Sequence, residues 1–306
     1  MAVHAHPDDE VVFTGGTLLL YHRRGVRTVV VTATGGEEGE IHDPDFDPEA
    51  ARPRLRDIRA EELRRGAALL EIDHLESLGY RDSGMAGTEA NANPDNFHNA
   101  DFDEATRRLV ALVRRYRPQI MITYDEFGSY GHPDHIQCNK LTHAAFDRAG
   151  DPSYGPELGE SWQPLKLYYT NWNEEGFEQA RDLYRERDLK WPWDEEEQKP
   201  DEDPEHQSTE EAIVEHEQEV AEAKAAGEEQ PKYVPPPTTT RIDVRAVVRE
   251  KMQSAQQHRT QFDPEGLFRT MPDDIAPVMF GEEHYSLVKS LVDGPAEEAD
   301  LLAGLE

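Results

Sequence analysis

The sequence has one cysteine and no long apolar run, and each shortage excludes a class of protein. A single thiol, Cys138, cannot form an internal disulfide, so a disulfide-stapled secreted domain is excluded. No stretch approaches the ~20 apolar residues that a membrane span needs. Residues 1–10 lack the basic and apolar regions of a signal peptide, which predicts a cytoplasmic protein.

Positive charge is also scarce. The chain carries 64 Asp and Glu residues against 32 Lys and Arg residues, for a formal net charge of −32. A field of this sign repels nucleic acid and anionic membrane surfaces, so neither is expected as a partner. What remains is a polar chain of 306 residues that is still long enough to bury a sizeable core.

Predicted strands alternate with predicted helices along most of the chain. The run VRTVVVTA at 26–33 is continuously apolar and β-branched, which is typical of a strand buried on both faces of a parallel sheet. Residues 102–116 place their apolar side chains at helical spacing on one face. The alternation predicts an α/β fold with a Rossmann-like, mostly parallel sheet and helices on both of its faces.

Composition divides the chain into three parts. Residues 1–172 are predicted to form the Rossmann-like core, and residues 173–237 an acidic insertion that is partly mobile. Within the insertion, 210–226 suits an exposed helix. Residues 238–306 are predicted to complete the same domain as a small C-terminal segment, with a helix over 244–257 and a strand near 284–288.

Two polar clusters each follow a predicted strand. HPDDE at 6–10 comes directly after the first strand, and GHPDH at 131–135 comes shortly after the strand that ends at Tyr124. Open α/β sheets bind their ligands just beyond the carboxyl ends of the strands. We therefore expect the two clusters to meet in space and to form one site.

The chemistry of these clusters fits a catalytic metal. Imidazole and carboxylate ligands suit zinc, which keeps three protein ligands and a water, and Fe(II) suits the same set. A neighbouring carboxylate would take the proton of the water, and a histidine would stabilise the oxyanion. Asp8 and Asp9 cannot both point the same way, so one suits a ligand and the other a base. The same holds for His132 and His135, and the pattern alone does not assign them.

Three segments resemble the PIG-L/LmbE-like deacetylase family, and more closely the mycothiol enzymes of actinobacteria, a biosynthetic deacetylase and an S-conjugate amidase. They are HAHPDDE, GGEEGE and YGHPDHI. The resemblance runs from residue 2 to about 171 and resumes from 238 to about 290, with TTTRIDV, HRTQFDPEG and EEHY. It implies a zinc-dependent N-deacetylase that acts on an N-acetylglucosaminyl conjugate, and it permits a homo-oligomer.

The resemblance also implies roles for individual residues. The zinc ligands would be His6, Asp9 and His135. The general base would be Asp8, and the group that stabilises the oxyanion and assists the leaving amine would be His132. Two further residues would support them: Asp134, which orients and charges that histidine, and Tyr130, which helps to polarise the carbonyl. For Glu10 we expect a structural role behind the ligands.

Three more residues are expected to bind substrate: Arg59 and Asp82 match positions on the sugar side of the family site, and His258 lies in a segment resembling one that closes it. Each has a plainer alternative. Arg59 lies among several arginines and suits a surface helix, Asp82 precedes Ser-Gly and suits a turn, and His258 suits simple packing.

Other functions stay open at this point. An amidase would use the same chemistry on a larger acyl group, as in the mycothiol S-conjugate amidase. The apolar Phe13 weakens that alternative, because a polar or basic residue is expected near this position in the amidase pattern. A metal-dependent phosphoesterase is a third hypothesis, although the clusters offer ligands for only one metal. A non-catalytic sugar- or metal-binding protein is the fourth, and Asp8 and His132 argue against it.

Overall fold

One seven-stranded sheet organises the protein in this computed structural model, which describes residues 1–192, 233–295 and 297–305. The strands are β1 (Ala2–His4), β2 (Val29–Thr34), β3 (His74–Tyr80), β4 (Ile120–Thr123), β5 (Lys166–Asn171), β6 (Thr240–Asp243) and β7 (Glu282–Ser290). Eleven described α-helices accompany them: α1 (Asp9–Phe13), α2 (Gly15–Arg23), α3 (Pro48–Ala51), α4 (Leu55–Leu69), α5 (Phe102–Tyr116), α6 (Gly128–Gly131), α7 (Pro133–Ala149), α8 (Glu174–Glu186), α9 (Val248–Ala255), α10 (Leu267–Thr270) and α11 (Ala276–Met279).

The strand order is β3-β2-β1-β4-β5-β7-β6. The first five strands pair in parallel, whereas β7 runs antiparallel to both β5 and β6. Every residue of β2 is buried, which explains its continuous run of Val, Thr and Ala. The predicted mostly parallel α/β fold is confirmed.

Two apolar clusters cover the two faces of the sheet. The first joins α5 and α7 to the strands through side chains such as Leu109, Val113 and Leu141. The second joins α2 to the C-terminal segment through side chains such as Leu19 and Val244. The C-terminal segment therefore packs into the same core as the N-terminal strands.

Some helices and strands begin at other residues than the sequence predicts. The sequence predicts a helix over 135–149, but helix α7 begins two residues earlier, at Pro133, because the His132 side chain accepts a hydrogen bond from the Asp134 N–H and caps the helix. Strand β2 begins at Val29 rather than at 26. Strand β6 was not predicted. It pairs only with β7 among the described strands, and only alternate residues of it are buried.

The segment assigned to the acidic insertion begins with an ordered helix. Ala180 and Tyr184 on α8, together with Trp191, pack with Met252 and Met279 of the C-terminal segment in a third apolar cluster. The acidic run at 194–207 and the helix predicted over 210–226 lie outside the described residues. Among the described helices, none is long and apolar enough to cross a membrane.

A buried ion pair fastens the C-terminal tail to the sheet and gives a first prediction. Lys166 on β5 donates to Glu298 at 2.7 Å, and both side chains are fully buried. Lys166→Ala leaves a buried carboxylate without its cation, so we expect the free energy of unfolding to fall by about 3–5 kcal/mol in chemical denaturation. The double variant Lys166→Met with Glu298→Leu should lose less. A double variant at least as unstable as Lys166→Ala would contradict this account.

Candidate active site

The site forms where the strand order reverses. Strand β1 pairs in parallel with β2 on one side and with β4 on the other. The turn after β1 carries HPDD and the segment after β4 leads to HPDH, so both clusters reach the crevice at this reversal. The Ala5 N–H donates to the Tyr124 hydroxyl at 2.8 Å, which ties the two turns together. The two clusters meet as predicted, since His135 Nε2 lies 3.3 Å from His6 Nδ1.

The first turn holds its residues by local hydrogen bonds and one strained backbone. The His6 N–H donates to Asp9 Oδ2 at 2.8 Å, and Asp9 begins α1. Asp8 has a φ of 116°, a conformation rare outside glycine that costs about 1–3 kcal/mol. Its N–H donates to Glu10 Oε2 at 2.8 Å. The strain therefore sits on a residue predicted to act in catalysis.

The second turn fixes which nitrogen of His132 carries a proton. His132 Nδ1 accepts the Asp134 N–H at 3.1 Å, so a neutral ring has its hydrogen on Nε2. Burial, helped by His6, lowers the pKa of His132 to about 3. The ring is therefore neutral near pH 7, and its Nε2–H is a hydrogen-bond donor on the wall of the cavity.

Three residues bring their donor atoms close together, with Asp9 contacting each histidine through a different carboxylate oxygen. His6 Nδ1 is 3.3 Å from His135 Nε2 and 3.5 Å from Asp9 Oδ2, and Asp9 Oδ1 is 3.6 Å from His135 Nε2. Ligands of a tetrahedral zinc stand about 3.4 Å apart, given metal–ligand distances of about 2.0–2.2 Å. The residues implied by the family resemblance therefore fit the ion.

Two groups of side chains in the described chain bring one donor atom from each residue within 4.8 Å of the others: His6 with His132 and His135, and His6 with Asp82 and Asp134. In the first group, His132 Nδ1 already accepts a hydrogen bond from the Asp134 N–H. The second uses the opposite nitrogen of the His6 ring, since Nε2 lies 3.5 Å from Asp82 and 3.4 Å from Asp134. Carboxylates at this place are typical partners for the outer nitrogen of a metal-bound imidazole.

The charges of the cluster favour a cation at its centre. Burial disfavours a charged His6 ring, but Asp82, Asp134 and Asp9 together raise its pKa well above the ordinary value. Burial lowers the pKa of His135 to about 4, so this ring is a neutral ligand near pH 7. The carboxylates that raise the pKa of His6 attract a divalent ion by the same field.

Asp8 faces the cavity beside a buried arginine. Burial raises the pKa of Asp8 to about 7, although the Arg59 guanidinium, whose Nη2 lies 3.1 Å from Asp8 Oδ2, acts in the opposite direction. A carboxylate with a pKa near the working pH can accept a proton and later return it.

The three residues expected on the sugar side take different places. Arg59 is 3% exposed, lines the cavity, and donates to the carbonyls of Pro7 and Gly36, so the surface-arginine alternative is wrong. Asp82 also lines the cavity and accepts the N–H groups of Glu38 and Gly84, so it forms the turn as well.

His258 is the exception. It is fully buried and does not line the cavity, and its Nε2 lies 2.9 Å from Glu10 Oε1. The structure thus places it behind the catalytic turn rather than on the sugar side. The packing alternative describes its position better than a direct contact with substrate.

Asp134 and Tyr130 both lie at the site. The Asp134 carboxylate accepts the N–H of Ser83 at 2.9 Å and its hydroxyl as well, while the backbone of Asp134 orients His132. The negative charge of Asp134 raises the pKa of His132, but burial lowers this pKa by more. Tyr130 lines the cavity, and its hydroxyl lies 3.4 Å from His135 Nε2.

The cavity has a volume of about 1330 Å³ and contains functional candidates that sequence reasoning missed. Trp172 is one of them. It follows β5, lines the cavity with its side chain 53% exposed, and packs edge-on against Phe13 at 5.0 Å between ring centroids. Its position at the carboxyl end of a parallel strand was a signal that could have found it. Arg81 and Gln261 also line this cavity.

Comparison with known proteins places the chain in a family. The family model for PIG-L, described as GlcNAc-PI de-N-acetylase, matches residues 1–146. A 1D-myo-inositol 2-acetamido-2-deoxy-alpha-D-glucopyranoside deacetylase of Catenulispora acidiphila is 36% identical, across 100% of this chain and 88% of its own length. The chain belongs to the PIG-L family. A deacetylase of the same name from Geodermatophilus obscurus is also 36% identical, with 100% of this chain and 97% of the relative covered.

Solved structures support the fold. The N,N'-diacetylchitobiose deacetylase of Pyrococcus horikoshii superposes with a TM-score of 0.56 at 17% identity, covering 94% of this chain and 82% of that one. A 4-carboxy-2-hydroxymuconate hydratase from Pseudomonas putida superposes with a TM-score of 0.57 at 15% identity, covering 96% of this chain and 97% of that one. Because enzymes of different chemistry share the fold, the fold alone does not decide the reaction.

The family membership identifies the class of enzyme. The chain is a hydrolase of the deacetylase class, acting on an amide bond. Both of these relatives carry the name of a deacetylase, so the amidase alternative is not favoured.

The loop before HPDH gives a prediction about the metal site. Gly128 has a φ of 71°, and a Cβ there would lie 2.7 Å from the His135 Cβ. Gly128→Ala should displace His135 and weaken zinc binding by about tenfold or more, measured by competition with a chromophoric chelator.

Gly25→Ala is the matched control. Gly25 also has a positive φ, 83°, but a Cβ there would meet no atom within 4 Å. It should share the backbone cost of about 1 kcal/mol and keep the zinc affinity of the parent. Equal zinc affinities in both variants would refute the assigned packing of the loop on His135.

Proposed function

We propose that this chain is a zinc-dependent N-deacetylase that removes the acetyl group from an N-acetylglucosaminyl-inositol conjugate. One observation carries the proposal: His6, Asp9 and His135 bring donor atoms within 3.3–3.6 Å of one another, beside a cavity lined by a carboxylate whose pKa is about 7 and by a neutral imidazole donor. The names of the relatives, which describe deacetylases of an acetamido sugar joined to inositol, supply the substrate class.

In this proposal the metal is held by His6 Nδ1, one carboxylate oxygen of Asp9 and His135 Nε2. Zinc suits two imidazoles and a carboxylate, although Fe(II) accepts the same donors. When bound, the ion would polarise the amide carbonyl and acidify a water molecule. The outer nitrogen of His6 would face Asp134 and Asp82, which favour the positive charge of the centre.

Asp8 is the proposed general base. It lines the cavity, and its carboxylate is free to take a proton from the attacking water while Arg59 holds its other side. The proton that Asp8 accepts is then available for the leaving nitrogen, so that the amine departs neutral and acetic acid remains, which loses its proton to solvent as acetate. A pKa near 7 suits both transfers, because neither protonation state is strongly favoured.

His132 is the proposed oxyanion donor. Its Nδ1 is occupied by a backbone N–H, so its Nε2–H can point at the developing negative charge on the carbonyl oxygen. The family resemblance also gives this histidine a part in the departure of the amine, but a neutral ring has no second proton to give. Tyr130 lies beside His132, and its hydroxyl offers a second hydrogen-bond donor to the carbonyl oxygen.

The cavity suits a substrate larger than a single acetamide. Its volume of about 1330 Å³ exceeds the roughly 300–1,000 Å³ of common small-ligand sites. Arg59 and Asp82 offer charged partners for sugar hydroxyls near the metal donors, and Trp172 offers an apolar face farther out. We assign the acetylated sugar to the inner part and the inositol to the outer part.

Acetate release tests the proposal directly. Metal-loaded protein should release acetate from an N-acetylglucosaminyl-inositol, and Asp8→Asn should lower kcat by about 10²–10⁴-fold with its zinc content unchanged. Asp147→Asn, in an exposed ion pair with Lys289, is the matched control and should keep the parent activity. Parent protein that binds zinc but releases no acetate would exclude this function.

Metal removal gives a second test. Dialysis against a strong chelator should abolish acetate release, and stoichiometric zinc should restore it. His135→Ala should fail to retain zinc in elemental analysis after gel filtration, because one of three protein ligands is lost. Full activity in metal-free protein would contradict the proposed role of the three donors.

A further inference from the structure

A buried pair of side chains lies directly behind the proposed base. The Glu10 carboxylate is fully buried and has two partners at opposite oxygens: Oε2 accepts the Asp8 N–H at 2.8 Å, and Oε1 lies 2.9 Å from His258 Nε2. His258 is fully buried as well. One carboxylate thus connects the backbone of the catalytic turn to a histidine 248 residues away along the chain.

The backbone that this carboxylate holds is the strained one. Asp8 has a φ of 116° and a ψ of −30°, and it precedes α1 without a side-chain cap of its own. Its side chain is therefore free for the cavity, while its N–H needs an outside acceptor. Glu10 supplies that acceptor, and strained residues persist only where their surroundings hold them.

The position of His258 is in turn fixed by the C-terminal segment. Its N–H donates to the Ala255 carbonyl at the end of α9, and its own carbonyl accepts the N–H groups of Gln261 and Phe262. On the other side it packs against α4, where a Cβ on Gly66 would lie only 3.1 Å from His258 Nε2. The ring therefore has little room to move away from Glu10.

We propose that His258 and Glu10 form a positioning pair that sets the backbone of Asp8 and so aims its carboxylate at the attacking water. Neither residue touches substrate, and the pair transmits the rigidity of the C-terminal segment to the catalytic turn. This inference rests on the proposed function in that it takes Asp8 as the base. It assigns His258 a role different from the substrate contact that the family resemblance implied.

Three variants test the pair. His258→Ala removes the partner of Glu10, whereas His258→Gln keeps an N–H donor that can reach the same oxygen. Thr260→Val is the matched control. Thr260 lies in the same buried turn, and its hydroxyl donates a hydrogen bond of 2.7 Å to Glu62 rather than to Glu10, so the variant loses a buried hydrogen bond but leaves the pair intact. Each variant is examined for kcat, KM, zinc content and crystal structure.

We expect His258→Ala to lower kcat by about 10- to 100-fold, with KM within twofold of the parent and zinc content unchanged. Its crystal structure should show Asp8 relaxed away from a positive φ. His258→Gln should recover much of kcat, and Thr260→Val should keep kcat even if its melting temperature falls. A rise in KM as large as the fall in kcat would overturn the proposal in favour of a substrate role. Loss of bound zinc would overturn it in favour of a metal role.

The structural readout separates this inference from the proposed function. Should the parent protein prove inactive on the acetylated conjugate, the proposed function fails, and the φ of Asp8 in the two His258 variants still decides the positioning role. An Asp8 that keeps its positive φ in His258→Ala overturns the pair as a positioning device. An Asp8 that relaxes in His258→Ala and is restored in His258→Gln supports it.

Discussion

The pairing of β1 with β4 is the constraint on which the site depends. The Met1 nitrogen donates to the Ile120 carbonyl at 2.9 Å, and the Ile122 N–H donates to the Met1 carbonyl at 3.0 Å. These bonds set the two parallel strands side by side at the reversal of the sheet, so two short motifs far apart in sequence end in one crevice. The metal donors, the proposed base and the proposed oxyanion donor all come from the turns that these strands deliver.

Charge and strain concentrate at this crevice, while other parts of the fold compensate for them. Asp82, Asp134 and Asp9 surround His6 and together favour a cation there. Asp8 holds a backbone conformation that the rest of the chain must stabilise. The C-terminal segment does so by packing into the core beside α2 and by placing His258 behind the turn. The C-terminal segment thus contributes both to the core and to the support of the catalytic turn.

Much of this arrangement could be predicted from sequence because its signals are local. The β-branched run of β2 and the polar turns after β1 and β4 were enough to predict a parallel sheet with a metal site at its edge. Contacts between distant segments gave no such signal. Nothing local to His258 indicates that it faces Glu10, and nothing in the residues around Ser83 indicates that it would hold the Asp134 carboxylate. Trp172 was missed because exposure of an aromatic side chain depends on the packing around it.

We propose that one metal ion binds between His6 Nδ1, Asp9 and His135 Nε2, with Asp8 and His132 beside it. Anomalous diffraction from zinc-loaded crystals, collected on both sides of the zinc absorption edge, tests this most directly. The account predicts a single strong peak at about 2.0–2.2 Å from those three donor atoms. A peak bound instead to His6 Nε2 between Asp82 and Asp134 would contradict it, because the ion would then stand away from the proposed base.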